Sequence, residues 1–358
     1  MIRAVEVHVR QRSGRRAIHV TICGAGAIGG FTGASLARAG HHVLLVDAAD
    51  AHVAAINQHG LTIEAPGTGT PDWTVRVRAV TPHALTGQHA LVLLSVKSQH
   101  TAPALAAIVP HLTPTGTIVA LQNGLNEELV SARIGADRTV GCLVNFGADW
   151  QAPGRIQWGG PGAIVLGELD GRTTPRVKEL ARLLEPAGET KITDNIWGVK
   201  WSKHVYGALL FATALVDATV YDVVERAAPI QRMLIALVVE NMAVAEASGV
   251  RLEAFDEYDP ALYEKARAGD EAARAAAIEL VSHHYRTRAK TRTGVWRDLA
   301  VRKRKTEASF FDLTLAKGEK LGLPLPLTRA MLAQIHDIED GRRPMAWENL
   351  DELVALHA

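Results

Sequence analysis

The chain has 358 residues, 47% of them hydrophobic, and a formal net charge of +1. That length accommodates two domains with a sizeable core, and so balanced a charge excludes any general electrostatic case for nucleic acid or a membrane surface. Two cysteines, Cys23 and Cys142, exclude a disulfide framework and fit a reducing, cytoplasmic setting.

Residues 1–16 are basic but lack the apolar centre of a secretory signal, and they read as an extension. No uncharged run reaches the ~20 residues of a membrane span. From Ala17 strand-like and helical segments alternate. Val20–Cys23 runs into Gly24-Ala-Gly26-Ala27-Ile28-Gly29, then an amphipathic segment, then a second apolar run, Val43–Val46, that ends on Asp47. Gly24 suits the tight turn after a strand, Gly26 the approach of backbone N–H groups to a pyrophosphate, and Gly29 close helix–strand packing. Ala27 and Ile28 open a helix whose N-terminus would face the phosphates. Asp47 stands where a carboxylate accepts hydrogen bonds from the adenosine ribose hydroxyls. No Lys or Arg lies between it and Gln58, which favours NAD(H) over NADP(H). Capping the next helix is the plainer role for Asp47.

Apolar runs recur in ALVLLSVK, GTIVALQNG, TVGCLVNFGA and AIVLGE, with helical segments between several of them. This predicts a doubly wound, mainly parallel sheet. The Gly- and Pro-richer stretch from Gln151 to Glu168 predicts antiparallel strands at its edge. Lys97 ends one run and Asn123 follows another, which places both at the carboxyl edge where ligands of such sheets bind. A surface lysine and an ordinary Asn-Gly turn are the plainer alternatives.

From Asp194 helical periodicity takes over. A Rossmann-type doubly wound α/β domain, 17–192, is therefore expected before an all-α C-terminal domain, 193–358. Lys203 leads the uncharged stretch Val205–Val216 and shares a helix face with Gly207, Leu210 and Ala214. Burial there pushes a lysine pKa down, as a general acid needs; snorkelling to water is the alternative. Pro229 opens a helix with Ile230, Met233, Leu234, Leu237 and Val238 on one stripe, ended by Gly249. Further helices are expected over Pro260–Tyr285, from Thr306 to before Pro324, and, last, from Leu327 to Gly341. Glu307 would stand near the start of one of these, with Phe311 and Thr314 on its face, where a glutamate also suits the dipole. Arg286–Lys305 holds nine Lys/Arg and one acid, Asp298. It reads as a solvated face or an oligomer contact ahead of nucleic acid, since few aromatics interleave it. The fifteen histidines show no metal-ligand spacing, so no metal is expected.

Taken in order, GAGAIGG (Gly24–Gly30), VK (Val96-Lys97), LQNGL (Leu121–Leu125), WSK (Trp201–Lys203) and RDLAVRKRKTE (Arg297–Glu307) make the chain resemble the ketopantoate reductase (2-dehydropantoate 2-reductase) family. The resemblance implies that Lys203 is the catalytic acid, that Asn123 holds substrate and nicotinamide in register, that Lys97 contacts the cofactor side, and that Glu307 helps fix substrate and lysine. The family's two asparagines after the W-x-K lysine are here Gly207 and Phe211, and its serine is Thr293 or Gly294. These replacements imply a larger, more apolar substrate pocket. The expectation is a nicotinamide-dependent oxidoreductase that reduces the carbonyl of a 2-oxo acid or a related bulky ketone. A 2-dehydropantoate 2-reductase proper and an opine- or imine-forming reductase are the alternatives, with a non-catalytic dinucleotide-binding module last. A small-molecule substrate and a homodimer are the expected partners, with no nucleic acid and no membrane.

Overall fold

The computed structural model describes residues 17–255, 257–287 and 291–357; the extension read over residues 1–16 lies outside them. The strands, in chain order, are β1 (His19–Cys23), β2 (His42–Val46), β3 (Leu61–Glu64), β4 (Trp73–Val75), β5 (Arg78–Val80) and β6 (His89–Leu94). They continue with β7 (Leu112–Ala120), β8 (Thr139–Val144), β9 (Ala148–Ala152), β10 (Arg155–Trp158), β11 (Ala163–Glu168) and β12 (Glu189–Ile192). One eight-stranded sheet runs β12-β11-β8-β7-β6-β1-β2-β5. It is parallel throughout except where β11 meets β8 antiparallel. The short Val/Ile/Leu runs form its middle because helices cover both faces: Ile22, Leu93, Val119 and Val140 are all fully buried. Strand order reverses between β1 and β6, and a ligand crevice opens at such a switch point, outside the carboxyl ends of the strands.

One expectation about the strands needs correction. β9 and β10 do pair antiparallel, but not at the edge of the main sheet. They join β3 and β4 in a second, four-stranded sheet, β4-β3-β10-β9. The reason is the helix Ala27–Arg38, whose outer side needs a cover. A Cβ on Gly30 would come within 2.2 Å of Ile156 of β10, so the small sheet sits directly on this helix. Only β11 reaches the main sheet with antiparallel sense.

Beyond β12 the chain is helical. Asn195 caps the helix Ile196–Thr213 by accepting from the Gly198 N–H at 3.1 Å. The helix Ala228–Ala247 follows, with Ile230, Met233, Leu234, Leu237 and Val238 all buried. It is long and apolar enough to cross a membrane by composition, but here it is the core of the helical layer, packed on Ile196–Thr213 and Glu348–His357. The stretch Pro260–Tyr285 is two helices, Pro260–Arg267 and Glu271–Arg286; Asp270 starts the second by accepting from the Ala272 and Ala273 N–H groups. The chain does not end its helices at Gly341. Glu348–His357 adds one more, anchored by buried Leu350 and Leu353.

Candidate active site

The glycine turn follows β1 as its residue types require. Gly24 has φ +97°, and a Cβ there would meet the Val96 backbone at 2.8 Å. A Cβ on Gly29 would strike the Gly24 carbonyl at 2.0 Å and Ser95 at 2.7 Å, so the first turn of Ala27–Arg38 lies hard against the strand ends. Above Gly26 there is open space, and Gly26, Ala27 and Ile28, where the turn passes into the helix, are half-exposed. The unpaired N–H groups of a helix start therefore face an open cradle that a diphosphate fits. Asp47 stands at the end of β2. Its Oδ2 accepts from the Ala25 N–H at 2.8 Å and its Oδ1 from the Ala49 N–H at 2.9 Å. It thus holds the loop as well as the start of the helix Asp50–His59.

The chemistry gathers at the same edge. Lys97 follows β6, Asn123 follows β7 and Asn145 follows β8, while Lys203 comes from the facing helix Ile196–Thr213. Gln122, Asn123, Gly124, Leu143, Lys200 and Lys203 line one small cleft. Asn123 is exposed, with its carbonyl held by Asn126 Nδ2 at 2.7 Å. Lys203 is half-buried. Its ammonium donates to Val144 O at 2.6 Å and to Asn145 Oδ1 at 3.3 Å. It lies well inside its helix rather than leading it, because the helix begins seven residues earlier at Ile196.

One helical turn before Lys203 lies a residue that periodicity did not single out. Lys200 is 3% exposed, and its ammonium lies 2.8 Å from Glu127 Oε1, a carboxylate with no exposure at all. Lys200 also donates to Gln122 O at 2.6 Å and to Cys142 O at 3.1 Å. It therefore bolts the helix Ile196–Thr213 to β8 and to the loop that bears Asn123. Burial pushes the Glu127 carboxyl up, and the charge of Lys200 opposes it. The sequence signal was present: a second lysine three residues before the first, and a glutamate in the first turn after QNG.

Glu307 is placed differently from expectation. It does not stand on a helix face but precedes the 3₁₀ turn Ala308–Phe311, and its carboxylate lies 3.7 Å from Lys97. Lys97 itself donates to Asp298 at 2.7 Å, so it joins the main sheet to the helical layer. Asp298 also receives Arg302 and Arg304, both at 2.9 Å, and Asp149 of β9 takes Arg297 and Arg302. Arg286 is paired with Glu225, and Lys305 with Glu339 and Asp340. These five cations of the basic segment answer acids of the same chain, so part of the run's charge is neutralised in the fold; positions 288–290 lie outside the described residues. Burial pushes the Asp298 carboxyl up, but the hydrogen bond and charge of Lys97, with Arg302 and Arg304, outweigh it and hold it below its usual value. Its folded pKa is thus below the unfolded one. The associated stability is present above the unfolded pKa and is lost as pH falls through the folded pKa. The difference in urea midpoint between wild type and Asp298→Asn should be largest at neutral pH and shrink below about pH 4. A difference that stays constant through that range would show that the ion pairs add nothing.

Gly207 and Phe211 do make an apolar wall, but not a larger pocket. Phe310 fills the space that Gly207 leaves: a Cβ there would come 3.2 Å from its ring, and one on Gly124 would come 3.1 Å from it. Its ring stacks with His204 (4.2 Å between centroids, 21°) and with Phe211 (5.9 Å, 22°). His204 is neutral, since burial, then the charge of Lys200, pushes it down to about 3. Thr293 is buried, and its hydroxyl caps the helix Gly294–Ala300 by accepting from the Trp296 N–H at 3.0 Å. The pocket reading overlooked Phe310 because nothing local in the sequence brings residue 310 to residue 207.

Residues 20–171 match the family model described as "Ketopantoate reductase PanE/ApbA", and residues 195–339 match its C-terminal companion. The chain is 32% identical over 192 residues to a 2-dehydropantoate 2-reductase of Pyrococcus abyssi, a match that covers 53% of this chain and 61% of that protein. It therefore spans about three fifths of the length of that relative. A 2-dehydropantoate 2-reductase of Mesorhizobium japonicum is 31% identical over 256 residues, covering 65% of this chain and 77% of its own. Among solved structures, a PanE/ApbA family ketopantoate reductase from Ralstonia eutropha superposes with a TM-score of 0.75 at 28% identity, covering 90% of this chain and 99% of its own. The glycine cradle, the edge lysine and these matches agree, and the chain belongs to the ketopantoate reductase family.

Proposed function

We propose that the protein is a nicotinamide-dependent reductase of a 2-oxo acid carbonyl, with Lys203 as general acid. The observation that carries this is the placement of the Lys203 ammonium and Asn123 in one cleft at the carboxyl edge that also bears the glycine cradle. The bound nicotinamide supplies the hydride. Gly26, Ala27 and Ile28 present N–H groups to the diphosphate, and Lys203 delivers a proton from Nζ to the carbonyl oxygen. Val144 O and Asn145 Oδ1 fix the direction of that ammonium, so orientation is in place before the substrate arrives. Asn123 carries both a donor and an acceptor for the substrate or the nicotinamide amide. Glu307 acts through Lys97 and sets the turn from which Phe310 projects.

NAD(H) is the proposed cofactor. Asp47 keeps its carboxylate at the end of β2 and would repel a 2′-phosphate, while it retains lone pairs for ribose hydroxyls beyond the two N–H groups it already holds. The wall of Phe310, Phe211 and Gly207 favours a 2-oxo acid with an apolar side chain over one whose side-chain hydroxyl must be hydrogen-bonded, since buried polar contacts give the sharpest discrimination. An assay of NADH and NADPH oxidation across 2-oxo acids of rising bulk, with and without added amine, tests this. The expected result is turnover without amine, NADH ahead of NADPH, and 2-dehydropantoate behind its unhydroxylated analogues. Turnover only with amine would assign an imine-forming reductase, and NADH binding with no carbonyl reduced would assign a binding module.

A further inference from the structure

We propose that His52 is a positioning residue of the dinucleotide site, one that aims the pyrophosphate-facing amide of Gly26 and ties the glycine loop to the β9–β10 hairpin. The inference rests on the dinucleotide reading of the glycine turn and is independent of which carbonyl is reduced. His52 lies on the helix Asp50–His59 and is 1% exposed. Its Nε2 lies 2.9 Å from Ala25 O; its Nδ1 lies 2.9 Å from the Gly154 nitrogen and 3.4 Å from Trp150 Nε1. A carbonyl only accepts, and the Gly154 and Trp150 N–H groups only donate. The ring proton is therefore on Nε2, and one neutral tautomer satisfies every partner.

The consequence lies in the peptide geometry. Ala25 O and the Gly26 N–H belong to one planar trans peptide, so they point in opposite directions. Fixing the oxygen inward, on His52, fixes the Gly26 N–H on the opposite side, away from the imidazole, in a residue with open space above it. Asp47 holds the N–H of the same Ala25 at 2.8 Å, so the residue before Gly26 is gripped at both main-chain groups. The other side of the imidazole is set by Gly154, at the turn between β9 and β10, and Arg297 and Arg302 in turn hold that hairpin through Asp149. An amide aimed before the ligand arrives spares the ordering cost of binding.

Calorimetric titration with NADH tests this on two variants. His52→Gln retains an N–H that reaches Ala25 O, whereas His52→Asn retains only an acceptor at the hairpin side. The Asn variant should raise the NADH Kd about tenfold, the order of one lost buried hydrogen bond, while the Gln variant stays within about threefold. The KM for the carbonyl substrate and kcat at saturating dinucleotide should be those of wild type in both. The proposal is overturned if the Asn variant binds NADH as wild type does, if both variants lose affinity equally, or if the loss falls on kcat instead. Should neither variant fold, amide exchange on wild type decides: the Gly154 amide should exchange more slowly with NADH bound, and an unchanged rate overturns the link. Wild type that binds neither NADH nor NADPH would remove the dinucleotide reading itself, an outcome distinct from any of these.

Discussion

Replacing Lys203 with Ala should lower kcat by roughly 10²–10⁴-fold, the usual contribution of a positioned general acid, while the dinucleotide Kd stays within about twofold. The separation follows from the structure. Lys203 reaches the cleft from the helix Ile196–Thr213 and is held by Val144 O and Asn145 Oδ1, whereas the cradle of Gly26, Ala27 and Ile28 belongs to the turn after β1 and the start of the helix Ala27–Arg38. Lys203→Met keeps the length of the side chain and removes only the proton donor, so it should lose as much turnover as Lys203→Ala. Single-turnover rates at saturating cofactor measure this directly. A loss of less than about threefold would show that another group protonates the oxygen.

Lys200→Met should destabilise the fold by about 3–5 kcal/mol, because it leaves the Glu127 carboxylate buried without its counter-charge. The urea midpoint reads this. Glu127 has its folded pKa raised by burial even with Lys200 beside it, and loss of the lysine removes the opposing influence. A raised carboxyl pKa favours the folded state below the unfolded pKa and loses that advantage as pH rises through the folded value. The deficit of Lys200→Met should therefore grow from acid toward neutral pH. The double variant Lys200→Met with Glu127→Leu should recover most of the loss, since apolar groups of similar size can replace a buried ion pair at little cost. If the double variant is no better than the single one, the pair is not the source of the defect. Lys200 donates to Gln122 O as well, so the double variant should regain stability before it regains full turnover: the loop that bears Asn123 would still lack one of its ties.

Local sequence was a good guide to placement wherever a candidate residue follows a strand end. Gly24, Gly26, Gly29, Lys97 and Asn123 are all found at the carboxyl edge, because a strand of apolar residues must stop where its polar successor meets the crevice. The same logic failed for partners supplied from far along the chain. Glu307 is tied to Lys203 by resemblance, yet the lysine beside it in space is Lys97, from the chain's first domain. The basic run from Arg286 read as a surface because the acids that neutralise part of it, Asp149 and Glu225, lie in other elements.

The residues alone determined the doubly wound sheet, the glycine turn after β1 and the helical half. Each depends on neighbours within about one supersecondary unit, where periodicity and backbone geometry act directly. Tertiary structure decided which distant residues meet in and around the candidate site: the buried Lys200–Glu127 pair, Asn145 beside the Lys203 ammonium, Phe310 over Gly207, and His52 under the glycine loop. Those contacts join segments tens to hundreds of residues apart. They exist because buried polar groups must find partners and buried glycines leave volume that some other side chain fills, and neither demand names its partner in advance.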